Sequence, residues 1–423
     1  HTQPSSNFAK LPVLAKTFDP ARVNAYDTGG SGLTEKLDVQ FRIGESGVWQ
    51  NVTQNSCWLT FPYSGQIGTC TNSQPGDKVY LRSRARDYAG NVEDWPTNPD
   101  YDTYTTLYSE MVTGTVMDMR GVRMAGSVIQ SPSQPLLPII SEANGVYSAY
   151  FASDVPSMLT STLAAYGSGD SVRIFNSIPN NNYHVLPPMN DLIKNGGFEQ
   201  GSAYWIYSNS SVTTANDSHS GSKSAVMIVP PNLSSSDQSF SQVITLTANL
   251  HMPTLSFSYR LSELPVNEGT SVLTVTVTDG LSAMPVKVIN RDNSHLKGPF
   301  WQNTWIDMSQ WAGKTITLQF ESRLMSTSLF NIDEISLGEW KTPVATSITP
   351  NQLTTSGNNT VIISGTNFIG TPIVKIGPFS LLNVVVQPDG PLKGALPASI
   401  PAGLYDVMVI NPEGQASMLP NAF

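Results

Sequence analysis

The chain has 423 residues, a net charge of −9, 13% charged residues and 39% hydrophobic residues. At about 100–200 residues per domain it holds two to four domains. No apolar run reaches the ~18 residues that span a bilayer. No basic block offers the clustered Lys and Arg of a nucleic-acid groove. A membrane span in this segment and a nucleic-acid partner are therefore excluded as expectations. Gly (32) and Pro (30) are spread along the chain, as many short strands joined by turns require.

Residues 1–108 come first. Residues 11–14 read as an opening strand. Residues 39–43 alternate apolar and polar, with Gly44, Gly47 and Trp49 following. Residues 79–87 alternate again, and Ala89-Gly90-Asn91 turns the chain. Arg82, Arg84 and Arg86 share one strand face by period 2. That row reads as a solvated face balanced by Asp38, Asp87, Glu93 and Asp94, or as an anion or partner patch. Cys57 and Cys70 flank turn residues Pro62, Ser64, Gly65 and Gly68, which suits a hairpin-closing disulfide in an oxidising compartment. The run Tyr26-Asp27-Thr28-Gly29-Gly30-Ser31-Gly32, residues 38–42 and Arg82-Ser83-Arg84-Ala85-Arg86-Asp87-Tyr88-Ala89-Gly90-Asn91 resemble a fibronectin type III domain. Such domains are mostly spacers or adhesive modules.

In residues 109–190, residues 112–118 read as a strand broken by Gly121, with 122–128 pairing back. Residues 145–150 form a strand after the Asn144-Gly145 turn. These elements resemble the carboxypeptidase-regulatory-like, transthyretin-like sandwich. Residues 155–169 have a mixed pattern, a short helix or an irregular loop. Residues 176–194, rich in Pro and Asn, read as a connector that Pro187-Pro188 stiffens.

In residues 191–340 the runs 254–259, 272–278 and 315–320 alternate with period 2, which places one face in a core and one in water. The unit opens on Asn195-Gly196-Gly197-Phe198-Glu199. It continues through His219-Ser220-Gly221-Ser222-Lys223 and closes on Phe330-Asn331-Ile332-Asp333-Glu334-Ile335. That pattern resembles the jelly-roll carbohydrate-binding-module superfamily. The resemblance implies a structural calcium ion held near Glu199, Lys223 and Asp333. Pairing of the first and last strands would bring both acids to one edge, where an ion would cancel their repulsion; the alternative is a salt-bridged or solvated pair. The resemblance also implies sugar stacking on exposed rings, for which Trp301 and Tyr204 are the candidates. Trp205, Trp305 and Trp311 read as core or rim residues.

Residues 341–423 carry Ile348-Thr349-Pro350-Asn351, Ile363-Ser364-Gly365-Thr366-Asn367-Phe368, Val374-Lys375-Ile376-Gly377 and Pro401-Ala402-Gly403-Leu404-Tyr405-Asp406-Val407. These resemble the IPT/TIG immunoglobulin-like domain, a stalk, adhesive or enzyme-flanking module in bacterial secreted proteins.

The expected fold is all-β, with four β-sandwich domains in series. No catalytic unit is expected. His1, His184, His219, His251 and His295 are scattered, and no Gly-x-Ser-x-Gly elbow appears. The chain begins on His1 without an initiator Met, which reads as a processed portion of a secreted precursor. The expected role is a structural or adhesive subunit of an extracellular bacterial filament, sheath or layer. Its partners would be other copies or cell-surface components, with residues 1–22 lying against a neighbour. The rival reading is a polysaccharide-binding accessory portion of a larger secreted glycoside hydrolase.

Overall fold

Apolar side chains recur at every second position along most of the chain, and the structure, a computed structural model, answers with β-strands throughout. It describes every residue except 1, 17–22, 35–36, 53–72, 125, 143, 164–165, 168–170, 175–181, 209–211, 216, 230–234, 263–270, 281, 291–299, 326–328, 340–342, 354–358, 369, 389, 399 and 412–415. Cys57 and Cys70 lie outside the described residues, so the expected disulfide does too. Two compact units form. One comprises His1–Val112, Ser133–Leu137 and Ala149–Val155; the other comprises Thr113–Pro132, Pro138–Ser148 and Pro156–Phe423. Among the described residues no helix is long and apolar enough to cross a membrane.

The first unit holds a five-stranded sheet in the order Leu14–Ala15, Thr103–Leu107, Lys78–Arg84, Asp38–Ile43, Gln50–Asn51. A two-stranded sheet pairs Ser5–Phe8 with Val23–Tyr26. Phe8, Val23, Val39, Phe41, Val79 and Leu81 pack its core. The opening strand is thus Ser5–Phe8, not residues 11–14, of which only Leu14 enters a strand.

The mixed stretch 155–169 contains a strand, Met158–Thr162, which pairs with Val128–Gln130. Its β-branched Thr residues and inward Leu159 decide for strand over helix. Residues 122–128 pair back only briefly, through a bridge between Met117 and Arg123. The connector also holds a strand. Tyr183–Val185 runs parallel to Thr115, Val116 and Met117. It adds a third member to the sheet of Glu110–Met117 and Val146–Phe151.

The jelly-roll region stacks two five-stranded sheets. One runs Ile206–Tyr207, Ser235–Thr245, Thr315–Met325, Val272–Thr278, Ala283–Asn290. The other runs Val212–Ala215, Ser224–Ile228, Leu329–Gly338, Thr254–Ser262, Gln302–Asp307. Phe240, Phe257, Phe320, Leu273, Leu318 and Phe330 fill the space between them. Val272–Thr278 and the start of Thr315–Met325 alternate buried and wetter positions, as expected. Thr254–Ser262 does not: every residue from 254 to 259 is buried. Its apolar side faces the core, and its Thr and Ser side is covered too.

The last region, 343–423, forms two four-stranded sheets. One contains Val344–Thr349, Thr360–Thr366, Leu392–Ala395 and Leu382–Val386. The other contains Phe379–Ser380, Ile373–Ile376, Val407–Ile410 and Ala416–Leu419. Val361, Ile363, Val374, Ile376, Val407 and Val409 close their shared core.

Candidate functional site

The opening motif folds as a tight loop against the end of strand Leu329–Gly338. Leu192 N–H donates to the Leu337 carbonyl at 2.8 Å, and Ile335 N–H to the Gly196 carbonyl at 3.1 Å. Gly196 is required by that approach, since a Cβ there would sit 1.9 Å from the Ile335 oxygen. Asn195 anchors the loop, its Nδ2 donating to the Gly201 and Ala203 carbonyls.

This closure sets Glu199 and Asp333 on one turn, residues 218–223. The Glu199 carboxylate accepts the Ser222 and Lys223 N–H groups at 2.7 and 2.8 Å and the Ser222 hydroxyl at 2.6 Å. Gly221, with φ +57°, makes room, because a Cβ there would lie 2.5 Å from Glu199 Oε1. Lys223 Nζ lies 3.4 Å from the Glu199 carbonyl oxygen, not on its carboxylate. Asp333 is fully buried and accepts the N–H groups of His219, Ser220 and Glu334 at 2.9, 3.0 and 2.8 Å. Burial pushes its carboxyl up, and the neighbouring Glu334 adds to that.

Glu334 has φ +52°, opposite the register shift between Ser256 and Ser258. This bulge turns two consecutive acids toward the same elements. The Glu334 carboxylate lies 2.8 Å from His219 Nδ1 and accepts the Ser258 hydroxyl at 2.6 Å. Burial raises its pKa, but His219 and Ser258 outweigh that and hold it low.

The turn and the sheet face beside it are roofed by the strand Tyr183–Val185. Tyr183 stacks on His219 with ring centroids 4.0 Å apart, and its hydroxyl donates to Ser258 Oγ at 3.3 Å. His184 Nε2 lies 3.1 Å from the Tyr147 hydroxyl. Arg120 donates to Thr254 Oγ1 at 2.8 Å and lies over the Trp305 ring at 4.7 Å. Pro188 packs so tightly on Gly338 that a Cβ there would come within 2.4 Å.

Trp301 is buried at 1% exposure beside His219 and under Arg260. The expectation of an exposed stacking ring there is corrected: the ring is buried, with His219 beside it and the Arg260 guanidinium over it. Tyr204 is 57% exposed, with φ +70° and Lys194 Nζ 5.6 Å from its ring centre. Trp205 and Trp311 are core residues, and Trp305 is a rim residue at 40%. The parts missed from sequence are Tyr183, His184 and Glu334. Tyr183 and His184 sat in a stretch read as connector. The one available signal was side-chain length: Thr254, Ser256 and Ser258 are all short and uncharged, whereas the equivalent face of Thr315–Met325 carries Gln319, Glu321 and Arg323.

Among the described residues no three His, Cys, Asp or Glu side chains cluster as a metal cage. Glu199 and Asp333 meet one turn, and both carboxyls accept its backbone N–H groups. Carboxylate oxygens are the donor type that a hard cation such as calcium takes. Glu199 and Asp333 would hold it with their side chains.

Residues 343–423 match the family model of the IPT/TIG domain. No curated protein sequence matches the chain. Among solved structures, the chain is similar to the family 61 carbohydrate-binding module TmCBM61 in complex with β-1,4-galactotriose. They share 18% identity over 36% of this chain and 99% of that one, at a TM-score of 0.29. A family 16 carbohydrate-binding module shows 16% identity over 35% and 99%, at 0.26. The CBM22-1 xylan-binding domain of Paenibacillus barcinonensis shows 15% over 36% and 94%, at 0.25. The residues that match the IPT/TIG model are those of the two four-stranded sheets of 343–423.

Proposed function

We propose that this protein is a non-catalytic structural or adhesive component of the bacterial cell exterior, a subunit of a surface filament, sheath or layer. The observation that carries this reading is the roofed sheet face. Tyr183, Arg120 and Pro188 fix residues 113–132 and 182–190 to the jelly roll through buried contacts. A module held that way serves as a rigid segment. Low charge favours close packing of copies, and the edge strands of sandwiches can pair between chains. The four domains are taken as 1–108, 109–190, 191–340 and 341–423, with calcium at Glu199 and Asp333 tying the ends of the third.

A second reading, a polysaccharide-binding accessory segment of a larger secreted glycoside hydrolase, is favoured by one feature. Tyr204 presents an exposed ring beside Lys194, both on the opening loop.

Electron microscopy of protein released from its native source tests the first reading. Regular filaments or lattices are expected. A strict monomer at high concentration overturns it, and binding to a neutral polysaccharide panel that is lost in Tyr204→Ala moves the second reading ahead.

A further inference from the structure

One face of the five-stranded sheet in the first unit is a ladder of rings and cations. Arg42 lies over Trp49 and Tyr80, each at 4.8 Å. Lys78 lies over Tyr80 and Tyr104 at 5.2 and 4.7 Å. Arg82 lies over Trp49 at 4.0 Å and Trp95 at 4.6 Å, and Arg84 shares Trp95 at 4.6 Å.

Charge pairing along this ladder is uneven. Arg42 makes a bidentate pair with Asp100 at 2.7 and 3.0 Å. Lys78 pairs with Glu45 at 2.9 Å. Arg84 and Arg86 both reach Asp38 at 2.7 Å. Two of the other expected balancing acids are engaged elsewhere, Asp87 with Ser31 and Asn91 and Glu93 with Ser6 and the Ala85 N–H, and the fourth, Asp94, is exposed. Among the described residues Arg82 pairs with no carboxylate. Its Nε and Nη2 both donate to Gln40 Oε1, at 3.0 and 2.6 Å, and among the described residues its Nη1 donates to nothing. Partial burial lowers its pKa, and Arg42 and Arg84 add to that against the opposing pull of Asp100.

A guanidinium held over two indoles, with its Nε and Nη2 on Gln40, presents its Nη1 end already ordered for a planar acceptor. A carboxylate is such an acceptor, and charge-assisted pairs of this kind are about twice as strong as neutral hydrogen bonds. The half-buried indoles on both sides offer apolar surface to whatever carries the carboxylate. A pyranose ring bearing an acid group satisfies both demands at once, because its C–H face packs on an indole while its carboxylate meets the cation.

We propose that Arg82, with Trp49 and Trp95, forms a binding site for an acidic sugar unit, a uronate of a polysaccharide. This inference does not rest on the jelly roll or on the assembly reading.

The test is isothermal titration calorimetry of the whole chain with oligogalacturonate, with neutral galactan and poly-glutamate as comparisons. Oligogalacturonate is expected to bind, more weakly at higher salt, and galactan not to. Arg82→Gln is expected to weaken binding at least tenfold, while the charge-matched change Arg323→Gln on the jelly roll leaves it intact. Trp95→Ala is expected to weaken it as well, and serves if the Arg82 variant fails to fold. No binding of oligogalacturonate, equal binding by Arg82→Gln, or equal binding of poly-glutamate overturns the proposal. Each of these outcomes is independent of whether filaments are seen.

Discussion

The ring of Tyr183 lies nearly parallel to that of His219, with centroids 4.0 Å apart and planes 24° from each other. Each residue is tied on its far side, Tyr183 to the strand beside Thr115 and His219 to Glu334. The stack therefore joins two regions through side chains that are themselves held in place.

Removing the stack should loosen the joint. Tyr183→Ala is expected to cost about 3 kcal/mol of stability, within the range for deleting a buried aromatic. Tyr183→Phe should cost about 1 kcal/mol, the value of its hydrogen bond to Ser258. Urea midpoints of the variants check both, and equal losses would refute the stacking contribution.

The two glycines that admit the opening motif and the turn should resist substitution. Gly196→Ala places a methyl against the Ile335 carbonyl, and Gly221→Ala places one against the Glu199 carboxylate at positive φ. Losses of about 2 kcal/mol or more are expected for each, as for other overpacked or strained positions. Thermal melts decide this, and a change within about 0.5 kcal/mol, the usual effect at an ordinary surface site, would contradict it.

Acid should act on His184 and Asp191 with opposite signs. Burial pushes the His184 pKa down to about 3 from 6.5, with His219 adding to that. The folded state thus refuses a proton that the unfolded chain accepts. Stability is lost as pH falls below about 6.5, by about 2 kcal/mol at pH 5. Asp191 is exposed as a residue, but its carboxyl turns inward onto the Ile193 and Leu337 N–H groups, and desolvation there pushes it up to about 6 from 3.8. Here the folded state binds the proton first, so stability is gained as pH falls from about 6 to about 4. Urea midpoints between pH 8 and pH 4 should show a steeper acid loss in Asp191→Asn and a shallower one in His184→Phe.

If calcium sits between Glu199 and Asp333, chelation should lower the melting temperature of the jelly-roll region. An ion bound only by the folded state stabilises by mass action, about 2.7 kcal/mol at a hundredfold excess over Kd. Glu199→Gln should abolish the chelator's effect. No shift with chelator in the unmodified chain removes the ion from the account.

The sandwiches were legible because period-2 alternation is written in Val272–Thr278 and in the alternately buried Val407 and Val409 of Val407–Ile410. The motif around Gly196 was legible because only glycine tolerates the approach of Ile335. The roof was not. The shortness of Thr254, Ser256 and Ser258 was its one trace, and it does not decide the matter, since short hydroxyls serve a wetted face as well as a covered one. The bulge at Glu334 was also hidden, because two adjacent acids in a strand normally point to opposite faces. Arg82 was correctly grouped with Arg84 and Arg86, yet sequence could not tell which of the three Asp38 would leave alone.

The antiparallel contact that brings Leu192 and Gly196 beside Leu337 and Ile335 also determines how the jelly roll meets tension. Entry and exit of the chain lie side by side, so a pull between them opens the hydrogen bonds one after another, like a zipper, instead of shearing them together. Held only there, the module would be a weak link. A pull arriving from Thr113 must first slide Tyr183–Val185 along its parallel partner and lift Tyr183 off His219. The roof over the sheet therefore acts as strain relief for the seam beneath it.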